Sequence, residues 1–130
     1  VGVPHKEVAL TLCDHVSEEA QRVGAVNTII VEDGKLFGSN ADIHGAATAL
    51  AAHTDLNGKK VVVLGAGGSA KALCCLLINS GSKVTLLNRT PERAARLKES
   101  FPDISIDSIE KFSHHLDYDI LVDATSVGFF

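Results

Sequence analysis

The sequence predicts an α/β fold whose second half is a parallel sheet, and three observations carry that prediction. Short apolar runs at Val61 to Leu64, Val84 to Leu87 and Asp119 to Val122 alternate with amphipathic stretches from Lys59 onward. The first run is continuous, as a parallel strand covered on both faces requires. Glycines follow it directly, at Gly65, Gly67 and Gly68.

Taken in order, Lys6 to Leu12 and Ser17 to Val23 read as helices, and Val26 to Val31 has the β-branched character of a strand. Glu32-Asp33-Gly34-Lys35 supplies a turn, Leu36 and Phe37 return as a second strand, and alanine-rich Ile43 to Ala52 is helical. Asn57-Gly58 marks a break. After the glycines, Ala70, Leu73, Cys74, Leu77 and Ile78 share one helical face, which leaves Cys75 rotated off it, and Gly81 closes the helix. Thr90 is positioned to cap the next helix, Pro91 to Ser100, with Pro91 at its first position and Glu92 in its first turn. Ile104 to Ile106 reads as a weak strand before the last one. The boundaries expected are 1–52 for part of a first α/β domain with its connecting helix, and 53–130 for a truncated Rossmann-type nucleotide-binding domain.

Composition narrows the function. Hydrophobic residues at 45% and charged residues at 22% are those of a globular protein, and the apolar runs are too short to span a bilayer. A net charge of -4 with mixed signs gives no electrostatic footprint for nucleic acid. The three cysteines match neither a disulfide framework nor a zinc spacing, and His5, His44, His114 and His115 fit no usual ligand set, so no metal is expected. A cytoplasmic protein with reduced thiols and a small-molecule substrate is expected. The chain has no methionine and starts Val-Gly-Val-Pro, which reads as an internal stretch of a longer protein.

Gly65-Ala66-Gly67-Gly68-Ser69-Ala70 is a G-x-G-x-x-A pattern between a strand and a helix. In that setting the first glycine makes the tight turn, Gly67 admits a pyrophosphate to the backbone, and Ala70 lets helix and strand pack closely. The free N–H groups of the helix start, from Gly68 and Ser69, face the anion. Where NAD-binding units place an acid that accepts from the ribose 2′-hydroxyl, this chain has Asn88-Arg89-Thr90, with Arg93 one helical turn on. A guanidinium meets a 2′-phosphate with paired charge-assisted hydrogen bonds, so NADP(H) is expected over NAD(H).

The glycine loop and Arg89 alone leave several dehydrogenase families open. Six motifs in order cover nearly the whole chain: Val3-Pro4-His5-Lys6, Gly24-Ala25-Val26-Asn27-Thr28, Asn40-Ala41-Asp42-Ile43-His44-Gly45, Gly65-Ala66-Gly67-Gly68, Asn88-Arg89-Thr90 with Arg93, and Ala124-Thr125-Ser126-Val127-Gly128. Together they resemble shikimate dehydrogenases. The resemblance implies a catalytic pair, Lys6 and Asp42, a substrate-binding asparagine, Asn27, and a last motif that places Thr125 and Ser126 at the cofactor. It implies NADPH-dependent reduction of 3-dehydroshikimate to shikimate in the chorismate route to aromatic amino acids.

The residue types suit that chemistry on their own terms. As hydride reaches a ketone carbon, charge grows on oxygen, and an ammonium in hydrogen-bond reach stabilises it and delivers a proton. Lys6 fits that role, and an ionised Asp42 beside it holds the ammonium and accepts from a substrate hydroxyl. Without the motif, Asp42 reads simply as the N-cap of the helix that begins at Ile43. Gly2, Ala41 and Asp123 depart from the family pattern, which commonly has threonine, threonine and asparagine there. They leave open a quinate-active relative, or a non-catalytic NADP-binding module.

Overall fold

The structure, a computed structural model, describes residues 1–2, 4–125 and 127. The first half is a three-stranded sheet with helices against it. Helix α1 (Lys6–Leu12) leads to strand β1 (His15–Val16), helix α2 (Glu18–Val23), strands β2 (Thr28–Glu32) and β3 (Lys35–Ser39), and helix α3 (Ala41–Ala51). The strand order is β1-β3-β2, with β1 parallel and β2 antiparallel to β3. Asp33 and Gly34 both take positive φ, 49° and 74°, which closes the β2–β3 hairpin.

The second half alternates strand and helix: β4 (Lys60–Leu64), α4 (Gly68–Asn79), β5 (Lys83–Asn88), α5 (Pro91–Ser100), β6 (Ser105–Ser108) and β7 (Ile120–Asp123). A short 3-10 helix, Ile109–His114, bridges β6 to β7. All four strands are parallel in the order β6-β5-β4-β7, so the order reverses between β4 and β7. In such sheets the crevice beyond the strand ends at the reversal point is where ligands collect.

Hydrophobic burial explains the central strand. Val61, Val62 and Val63 are 1%, 3% and 0% exposed, and α4 buries Ala70, Cys74 and Leu77 completely. The same core takes in Val23, Ala25 and Ile43 from the first half, so the two sheets are joined by shared packing rather than by the connection alone. Helix α4 packs on both α2 and α3.

Some local expectations are corrected and others sharpened. Asn40 caps α3: its Oδ1 accepts from the Asp42 N–H at 3.0 Å, which leaves the Asp42 carboxylate in the first turn free for other partners. Thr90 occupies the α5 N-cap position without a side-chain cap bond. Strand β2 starts at Thr28 rather than Val26, because the Val26 N–H donates to the Lys6 carbonyl instead of to β3. Strand β6 runs from Ser105 to Ser108 rather than over 104–106, and Ile104 is instead buried in the core beside it. Cys75, although rotated off the apolar face of α4, is a packing residue like Cys74: it is fully buried, because α2 covers that side of the helix. Burial pushes the Cys75 thiol up, and the Cys74 thiol up to about 12, so both pack as neutral groups. No helix among the described residues is long and apolar enough to cross a membrane.

Two tests follow from this packing. Gly65 holds φ at 102°, and a Cβ there would stand 3.0 Å from the Ala124 carbonyl oxygen, so Gly65→Ala is expected to cost about 1–3 kcal/mol in urea unfolding. An unchanged midpoint would refute that strain. Asp107 accepts from the Ser108 N–H and the His115 ring and pairs with Lys111, and chiefly the His115 hydrogen bond holds its carboxyl down, from 3.8 to about 2. Its folded value lies below the unfolded one, so its stabilisation is complete above about pH 4 and fades toward pH 2. The melting temperatures of the wild type and Asp107→Asn are expected to converge over that window, and a constant gap would count against it.

Candidate active site

The phosphate end of the site is built by strand burial and one turn. Strand β4 ends at Leu64, and the Gly65 N–H donates to the Leu87 carbonyl at 2.8 Å, so pairing with β5 continues to Gly65 before the chain turns into α4. The Gly65 backbone lies directly beneath Ala124 at the end of β7. Gly67 is different. Its φ of -88° suits any residue, and a Cβ on it would meet no protein atom within 4 Å. No protein atom would obstruct a side chain there, so the space beside it is open to a ligand, as a pyrophosphate site requires.

A cleft of about 240 Å³ opens here, lined by Gly65, Ala66, Gly67, Asn88, Arg89, Thr90, Arg93, Ile109, Ala124, Thr125 and Val127. Eight of the positions singled out in the sequence, from Gly65 to Thr125, thus converge on one cavity. Gly68 and Ser69 do not line it; they form the exposed first turn of α4, whose N–H groups lack helical partners. Ser126 lies outside the described residues.

Arg89 and Arg93 are exposed, and among the described residues neither pairs with a carboxylate. The cleft therefore carries two uncompensated guanidinium groups. Asn88 donates from Nδ2 to the Thr90 carbonyl at 2.8 Å, which shapes the turn that presents Arg89 and leaves the Asn88 oxygen and the second amide hydrogen for a ligand. Thr90, whose side chain makes no capping bond, lines the same cavity. Thr125 donates its hydroxyl to Asp123 Oδ1 at 2.6 Å and its N–H to the same oxygen at 2.9 Å. These bonds hold the Asp123 carboxyl below the usual carboxylate range. Sequence reasoning misses Ile109, whose only signal is an apolar residue directly beyond the carboxyl end of β6.

The second cluster lies in the first half. Lys6 Nζ stands 2.9 Å from Asp42 Oδ2, with the side chains 28% and 48% exposed. Lys6 is the first residue of α1, where the helix dipole disfavours a cation, and Asp42 compensates it. Half-exposed, the pair is open to a ligand and contributes little to stability. Asp42 Oδ1 has no partner among the described residues and is available to accept.

Asn27 completes this cluster. Its Oδ1 accepts from the Ala41 N–H at 2.8 Å and the Thr28 hydroxyl at 2.9 Å, which fixes the amide with Nδ2 as the donor left for a ligand. The cluster thus offers an ammonium, a carboxylate oxygen and an amide N–H. Glu7, next to Lys6, shares a recess with Ala66 of the glycine loop and with Lys71, Arg93 and Arg96, so the two clusters border one another.

Comparison with known proteins agrees with this geometry. The family profile described as shikimate / quinate 5-dehydrogenase matches residues 47–128, and the shikimate dehydrogenase substrate binding domain profile matches residues 1–29. Shikimate dehydrogenase (NADP(+)) of Caldanaerobacter subterraneus subsp. tengcongensis is 41% identical over 138 residues, covering 98% of this chain and 48% of that protein. The crystal structure of shikimate dehydrogenase from Aquifex aeolicus superposes with a TM-score of 0.91 at 38% identity, over 100% of this chain and 48% of the other. That of shikimate 5-dehydrogenase from Thermus thermophilus, in complex with NADP(H) and shikimate, gives 0.85 at 44% identity, over 98% and 47%. The chain spans about half the length of the relatives it matches. With an α/β fold, a parallel four-stranded Rossmann-type sheet and a family profile matching more than half its residues, this chain belongs to the shikimate/quinate dehydrogenase family.

Proposed function

We propose that the full-length protein is an NADP-dependent oxidoreductase that reduces 3-dehydroshikimate to shikimate, serving chorismate and aromatic amino-acid biosynthesis. The observation that carries this reading is the Lys6–Asp42 ion pair at 2.9 Å, on the half of the chain that borders the glycine loop. A relative whose structure holds both NADP(H) and shikimate supports the choice of ligands. Residues 1–52 would then be part of the substrate-binding domain and 53–130 part of the cofactor domain. The three free cysteines suit the reducing cytoplasm.

In this reading the backbone N–H groups at the start of α4, with Gly67, Gly68 and Ser69, hold the pyrophosphate, and Thr125 and Ser126 border the cofactor. Arg89 and Arg93 hold the 2′-phosphate, with Asn88 and Thr90 adding neutral hydrogen bonds. When bound, the nicotinamide supplies the hydride. Lys6 stabilises the charge that develops on the ketone oxygen and delivers a proton from Nζ. Asp42 keeps the ammonium in place through Oδ2 and accepts a substrate hydroxyl through Oδ1. Asn27, locked with Nδ2 outward, donates to a substrate hydroxyl oxygen. A ligand rich in neighbouring hydroxyls satisfies all three groups at once, whereas an apolar ligand would leave them unpaired.

Two substitutions in the full-length protein test the reading. Lys6→Ala is expected to lower kcat for shikimate oxidation by about 10²- to 10⁴-fold with the Kd for NADP+ unchanged, and undiminished turnover would remove Lys6 from the chemistry. Arg89→Ala is expected to weaken NADPH binding by about tenfold or more, the loss of at least one charge-assisted hydrogen bond, and to leave the weaker NADH binding as it was. Equal effects on both nucleotides would overturn the 2′-phosphate assignment. Faster oxidation of quinate than of shikimate by the wild type would change the substrate.

A further inference from the structure

We propose that Arg22 is a positioning residue: it docks α2 on the nucleotide-binding half and so fixes where Lys6, Asn27 and Asp42 stand relative to the glycine loop. The catalytic consequence rests on the function proposed above.

Arg22 lies in the last turn of α2, at an exposed position where a solvated arginine would be unremarkable. Glu18 stands four residues back, the spacing of a local helical ion pair, and Glu19 three. Among the described residues Arg22 pairs with neither. Its guanidinium reaches across to the other half instead. Nη1 donates to Asn79 Oδ1 at 3.2 Å, and Cζ lies 5.3 Å from the centroid of the Phe101 ring, which is fully buried.

The topology shows what the two contacts share. Asn79 is the last residue of α4, and Phe101 follows the last residue of α5. One cation therefore sits at the carboxyl ends of both helices, the favourable end of each dipole. The opposite ends of the same helices carry the glycine loop and Arg93.

From α2 the linkage runs straight to the polar cluster. Gly24 ends the helix in a left-handed turn, φ 75°, and residues 24–27 follow. In that short stretch the Ala25 carbonyl accepts from Nδ2 of Asn40, the residue that caps α3 and so presents Asp42. The Val26 N–H donates to the Lys6 carbonyl at 2.9 Å. Asn27 binds the Ala41 N–H through its own side chain. All three groups of the cluster are thus tied to one loop, and that loop is the continuation of the helix that Arg22 anchors. A shift of α2 moves the cluster as a unit against the cofactor cleft, and misplacement on the scale of 1 Å is costly to catalysis.

The test uses the full-length protein. Arg22→Ala is expected to lower kcat/KM for shikimate by about tenfold or more while the Kd for NADP+ stays within about twofold, and Arg22→Lys, which keeps a cation over Phe101, to recover part of the loss. Hydrogen exchange of the Val26 and Asn27 amides is expected to quicken in Arg22→Ala. Wild-type kcat/KM and exchange in that variant would overturn the proposal, as would an equal loss of NADP+ affinity, which would mark general support of the fold. If Arg22→Ala does not fold, Asn79→Ala decides: a loss of roughly twofold to threefold in the same direction supports the linkage, and no change refutes it. If the wild type does not oxidise shikimate, the functional reading fails by itself, and exchange still decides whether Arg22 holds the loop.

Discussion

Strand β4 imposes the constraint from which the rest of the structure follows. Its three valines are almost fully buried, so its backbone groups have no access to water and must be paired on both edges. Strands β5 and β7 supply those partners, both parallel, and the strand order reverses beside β4 as a result. The reversal leaves a crevice at the carboxyl ends, into which Leu64 delivers the glycines. The left-handed turn at Gly65 and its close approach to Ala124 are consequences of closing that crevice. Binding geometry here is a by-product of where a buried strand must end.

The two polar clusters differ in charge and exposure. The cleft at the glycine loop holds two guanidinium groups that pair with no carboxylate among the described residues, an arrangement suited to an anion that arrives with its own charge. The Lys6–Asp42 pair is internally neutralised and partly exposed, which leaves hydrogen-bonding capacity free for a ligand. Asn27 is held more tightly than either, since its oxygen is used twice within the protein. Such prior orientation matters because a donor already aimed need not be reorganised when a ligand binds.

Much of this is legible along the chain wherever the determining forces are local. Helix α1 over Lys6–Leu12 and α5 over Pro91–Ser100 follow from periodicity and terminal residues that need no distant partner. Strands β4 and β5 are marked by uninterrupted apolar runs. Where a second element decides, the local signal misleads. Val26 is β-branched, yet its N–H is claimed by Lys6 and it lies outside the sheet. The two-residue strand β1 and the 3-10 helix after β6 have no propensity signal of their own; β1 exists because β3 offers an unpaired edge.

By itself the sequence determined the parallel α/β class, the glycine loop, and the basic residue in place of an acid, because each depends on residue type at short spacing. Only the tertiary structure decided that Asn40 caps α3, that the Lys6–Asp42 pair the motifs implied closes to 2.9 Å across 36 residues, and that α2 is the element that buries Cys75. Those outcomes depend on how separate elements pack. Burial and pairing across a fold are properties of surfaces that meet, and no window of sequence contains both surfaces.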